Sequence, residues 1–81
     1  MEANSIFNTV QPLITLWNAN HQKHCHFALV EDDGLVTISP VDADFRTIPG
    51  ALLSDIVLLA NVYGWSFGIH TTQNGEPYIL L

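Results

Sequence analysis

FALVEDDGLVTISPV, residues 27–41, alternates apolar side chains with small, hydroxylated or charged ones on both sides of Asp33-Gly34. A period of two is what a strand with one buried face requires. Asp-Gly is the dipeptide of the tightest hairpin turns, because both of its residues tolerate positive φ. A two-residue turn here pairs Asp32 with Leu35. Phe27, Leu29, Val36 and Ile38 then share one face, and His26, Ala28, Val30, Thr37 and Ser39 share the other. An isolated hairpin is barely stable in water, so the apolar face needs a second layer to cover it.

The flanking segments supply that layer. Between Asn4 and about Asn20 the apolar positions Ile6, Val10, Leu13, Ile14 and Trp17 recur at helical spacing, with Asn4 or Ser5 as N-cap. Pro12 lies inside this run and predicts a kink or a restart. Thr47, Pro49 and Gly50 introduce a second helix reaching about Tyr63, with Leu52, Ile56, Leu59 and Tyr63 as its buried stripe. Gly64 is placed as a left-handed C-cap, and Trp65 follows to fold back on the last turn. Trp65 to Leu81 reads as a second hairpin around Asn74-Gly75. A two-residue turn there would put Phe67, Ile69, Tyr78 and Leu80 on one face. Ser66, Gly68, His70, Thr72, Ile79 and Leu81 would take the opposite one.

The expected fold class is therefore α+β: a single small two-layer domain over residues 1–81, ordered αββαββ. Its four-stranded, mainly antiparallel sheet would carry both helices on one face. Its core would comprise Val10, Ile14, Trp17, Phe27, Leu29, Ile38, Leu52, Ile56, Leu59, Phe67, Ile69 and Leu80. The matching Phe27-x-Leu29 and Phe67-x-Ile69 patterns fit a degenerate αββ duplication, 1–44 and 45–81, and equally fit convergent hairpin grammar. Met1 and the closing strand fit a whole gene product.

Composition limits the function. Eight acids stand against Lys23 and Arg46, a net charge of -6. Binding to DNA, RNA or an anionic membrane surface rests on clustered Lys and Arg, so direct contact with any of these is excluded. The uncharged runs 3–22 and 56–75 are broken by Asn, Gln, Pro and Gly and do not read as membrane spans. A single cysteine, Cys25, and the lack of a basic, apolar leader place the chain in a reducing, cytoplasmic compartment. An 81-residue chain with a 48% hydrophobic composition also has few kcal/mol of stability to spare, so a twin or partner is expected.

Little in the sequence points to catalysis. His21, His24, Cys25 and His26 are metal-competent side chains, and His70 would complete a His24, His26, His70 site if its strand neighboured that of His26. A strand would send Cys25 away from His24 and His26, and no carboxylate stands ready to orient the imidazoles. Cys25 as a nucleophile lacks a matching motif, and no phosphate-binding glycine loop or nucleophile elbow is present. The expectation is no enzyme and no cofactor, with a small metal protein as the alternative from another class.

The acids carry the more specific signal. Glu31, Asp32, Asp33, Asp42 and Asp44 fall within fourteen residues without an intervening base. Three crown the first hairpin and two lie where its return strand leaves the sheet. Such a knob speeds encounter with a Lys- and Arg-rich protein surface. Val30, Thr37, Thr72 and Ile79, on the uncovered sheet face, are the candidate contacts that hold a complex. The function expected is a small acidic protein-interaction module that occupies a basic, nucleic-acid-binding surface of a partner. In size and charge it resembles the small phage and mobile-element inhibitors of host defence nucleases. The alternative within binding modules is a homodimer joined through the open sheet face.

Overall fold

The computed structural model describes residues 3–42 and 44–81. It contains α1 (Ala3–Ala19), β1 (Phe27–Asp32), β2 (Leu35–Pro40), α2 (Gly50–Tyr63), β3 (Gly68–Thr71) and β4 (Pro77–Leu80), with a short 3₁₀ turn at Lys23–Cys25. The sheet runs β1-β2-β4-β3, and every neighbouring pair is antiparallel. This is the expected α+β fold, and both helices pack on one face of the sheet. A single core joins Ile6, Val10 and Ile14 of α1 and Leu52, Ile56 and Ala60 of α2 to Phe27, Val36, Ile38 and Ile79 of the sheet.

Pro12 sits exposed within α1, which continues through it rather than restarting. It removes only the bond that the Asn8 carbonyl would accept, on the helix's wet side. The last turns of α1 then fasten the start of β1. Asn18 donates from Nδ2 to the Phe27 carbonyl and accepts from the Phe27 N–H at Oδ1, both at 2.9 Å. β1 is an edge strand, and this one amide stands in for the strand it lacks. In α2 the buried stripe is Leu52, Ile56 and Ala60, four residues apart. Leu59 is half-buried and Tyr63 is exposed, both flanking the stripe. Gly64 adopts the left-handed C-cap (φ 72°), and Trp65 donates its backbone N–H to the Ala60 carbonyl and buries its ring against the core.

The first hairpin matches the sequence expectation, with Asp33 and Gly34 both at positive φ and Asp32 opposite Leu35. The second departs from it by one residue. Thr72 and Glu76 close a three-residue loop, Gln73-Asn74-Gly75, in which only Gly75 takes positive φ (81°). The Gly75 N–H bonds the Thr72 carbonyl, and the Thr72 N–H bonds the Glu76 carbonyl. That is a type I turn followed by a left-handed glycine, the usual three-residue hairpin. Ile69 therefore pairs with Ile79 and His70 with Tyr78. A one-residue slip turns a strand over. Ile79 is fully buried in the core, and Tyr78 and Leu80 move to the open face. Phe67 and Ile69 stay on the core side of the sheet, but 37% and 49% exposed at its uncovered edge.

The helix layer is also nearly free of charge. α1 has no charged residue and α2 has only Asp55. Leu16, Leu58 and Val62 point outward from it. No helix among the described residues is long and apolar enough to cross a membrane.

Two stability measurements check this architecture. Ile79→Ala should lower the unfolding free energy in urea by about 2–5 kcal/mol, the usual cost of a core truncation, and Leu80→Ala by clearly less. The reverse order would restore the two-residue turn. Asn18→Ala should cost about 2 kcal/mol or more, because two backbone groups of Phe27 lose their partner together. A loss near zero would show that water replaces the amide.

Candidate functional site

The open face of the sheet is built in rows. Val30, Thr37, Leu80 and Gly68 form one row across the four strands, and the pairs Ala28–Ser39 and Tyr78–His70 lie on the same face beside it. Near the β1–β2 turn, Asp32 and Leu35 pair on this same face, so exposed Leu35 and Val30 share it with Asp32, while Glu31, opposite the core residue Val36, lies on the helix side. Glu31, Asp32 and Asp33 are all exposed there. Asp42 and Asp44 lie at the other end of β2, about 20 Å away for a six-residue strand. Asp42 Oδ1 accepts the Asp44 N–H at 2.9 Å, and the Asp42 carbonyl accepts the Phe45 N–H.

At this second end the chain forms a hollow of about 390 Å³, lined by Thr37, Ser39, Pro40, Asp42, Phe45, Thr72, Glu76, Pro77 and Tyr78. Three residues singled out in the sequence, Thr37, Asp42 and Thr72, meet here. Three others that shape it, Phe45, Glu76 and Tyr78, were not foreseen. Tyr78 comes to this face through the three-residue loop, and Phe45 lies in the stretch between β2 and α2. The Phe45 ring meets Phe27 edge-on, with centroids 6.0 Å apart. Thr72 Oγ1 accepts the Glu76 N–H at 3.1 Å, which ties down the backbone carrying that carboxylate. His70 stacks on Tyr78 (5.6 Å between centroids) and lies over Gly68, where a Cβ would stand 2.9 Å from His70 Nε2.

Ile79 does not belong to this surface. The slipped register buries it under the helices, so it offers a partner nothing in the folded chain. Of the nine candidate contact residues, the remaining eight are accessible: Val30, Glu31, Asp32 and Asp33 at the tip, Thr37, Asp42 and Thr72 in the hollow, and Asp44 outside its lining.

His70 stands apart from the other three histidines. β1 and β3 are opposite edges of the sheet, so His70 cannot join His24 and His26. His21 Nδ1 lies 2.8 Å from the Trp17 carbonyl and His26 Nε2 2.9 Å from the His21 carbonyl. A carbonyl only accepts, so each of these nitrogens carries its proton, and the bond fixes the orientation of the ring. His21 stacks on Trp17 at 3.6 Å, and Trp17 Nε1 donates to the Cys25 carbonyl. Among the described residues no group of three or more His, Cys, Asp or Glu is set to hold a metal ion. The cluster instead turns the chain from α1 into β1.

Comparison with protein-family models, curated proteins and solved structures returned no match to this chain.

One equivalent of zinc should leave the thermal unfolding midpoint of the chain unchanged, because the described residues bring no three ligands together and the folded state has no binding advantage. A stoichiometric rise of several degrees would mean that the histidines rearrange to bind it.

Proposed function

We propose that this chain is a protein-binding module that seats itself on a basic, nucleic-acid-binding surface of another protein and thereby inhibits it. One observation carries the reading. The β1–β2 tip presents three exposed carboxylates, Asp32 on the same sheet face as the exposed Val30 and Leu35, Asp33 in the turn and Glu31 on the opposite face, with neither of the two bases beside them. Arg46 is engaged with the Asn74 carbonyl, and Lys23 lies in the turn before β1, at the far end of that strand. Acids without counter-charges repel one another, and that repulsion is relieved when a Lys- and Arg-rich surface meets them. The apolar pair provides the desolvated centre that a charged rim alone lacks. The same acids mimic the spacing-insensitive part of nucleic-acid recognition, the attraction of a phosphate backbone to basic side chains. Inhibition of a host defence nuclease, as by the small phage and mobile-element proteins of similar size and charge, is the concrete form of this reading.

The test is retention of host proteins by the immobilised chain from a nuclease-treated bacterial lysate, compared with Glu31→Gln/Asp32→Asn/Asp33→Asn as bait. The expected result is a protein held by the native chain, released by added duplex DNA, and captured by the triple variant at least about ten-fold more slowly. Equal retention by both baits, or retention that DNA does not disturb, would overturn the proposal.

A further inference from the structure

We infer that the hollow between β2 and the β3–β4 loop receives a single arginine side chain of the partner, an inference that rests on the partner being basic as proposed above. Two carboxylates on a surface would be no more than a charged rim. Here they stand in the wall of a concavity whose remaining surface suits one particular cation. At about 390 Å³ it is at the small end of ligand pockets and admits one side chain rather than a length of peptide.

Asp42 and Glu76 contribute acceptors only, and no Lys or Arg lines the hollow. Lys23 shares a neighbouring hollow with Asp42, and Arg46 is held at Asn74 on the loop, so both bases of the chain lie outside it. Asp42 spends Oδ1 on the Asp44 N–H, which orients the carboxylate and leaves its second oxygen to a ligand. Thr37, Ser39 and Thr72 add hydroxyls, and Tyr78, Phe45, Pro40 and Pro77 make flat apolar walls. A guanidinium is planar and weakly hydrated. It stacks on aromatic rings and donates to carboxylates through several N–H groups, whereas an ammonium holds its water and has no face to stack. The lining therefore favours arginine over lysine.

The experiment is an NMR titration of the ¹⁵N-labelled chain with N-acetyl-arginine-N-methylamide, and in parallel with the citrulline and lysine analogues. Arginine should move the amides of Ser39, Asp42, Phe45, Thr72, Glu76 and Tyr78 saturably, with a Kd of about 1 mM, typical of one side chain. The uncharged citrulline analogue should bind at least about ten-fold more weakly, and so should arginine to Glu76→Gln or Asp42→Asn. Both variants lie on the surface and should keep the native spectrum elsewhere. Equal response to citrulline, shifts that do not saturate, or shifts confined to residues 31–33 would overturn the site. A lysine analogue binding as tightly as arginine would overturn the choice of guanidinium. If arginine fails to bind while the lysate partner is still lost by the tip variant, the hollow falls and the partner reading stands. If arginine binds while no host protein is retained, the reverse holds.

Discussion

The pairing of Ile38 with Ile79 at the centre of the sheet is the contact on which the rest of the molecule depends. Each hairpin is local and each helix covers only part of a sheet. β2 against β4 is the one ladder that joins the two halves, and both isoleucines are completely buried beneath the helices. With Ile79 turned inward, Tyr78 must face outward, and the hollow between Asp42 and Glu76 acquires its aromatic wall. Core and candidate site are thus two faces of one register.

That register shows where sequence reasoning stops. Asp33-Gly34 and Asn74-Gly75 look alike, yet the first is the whole of a two-residue turn and the second is the latter part of a three-residue loop. Both solutions satisfy the local chain. The choice between them is made by the sheet, which must bury a branched aliphatic residue at the centre in place of a tyrosine with a hydroxyl to satisfy. The helices were legible because their spacing repeats over many residues, and the first hairpin because its turn and its alternation agree. The end of the α2 stripe was less so, since Leu59 and Ala60 are both acceptable core residues and only contact with the sheet separates them.

The site was legible in its acids and not in its shape. The carboxylates of 31–33 and 42–44 announce themselves by composition, and the structure divides them between the two ends of β2. The hollow beside Asp42 needs Phe45, from a segment without periodicity, and Glu76, a lone acid that no cluster marks. The histidines show the opposite case. They are conspicuous in the sequence, and one ring nitrogen each of His21 and His26 serves the backbone at the turn between α1 and β1.

The uneven placement of charge has a colloidal consequence. Among the described residues nearly all the ionised groups lie on the loops and the sheet, while the helix layer has Asp55 alone and directs Leu16, Leu58 and Val62 outward. At neutral pH the common negative charge keeps copies of the chain apart and so screens that neutral layer from itself. Near the isoelectric point that the composition implies, about 4.7, the repulsion is gone while the exposed leucines remain. The acids proposed for recognition therefore also keep the protein dispersed, and a variant stripped of them loses part of its protection against precipitation.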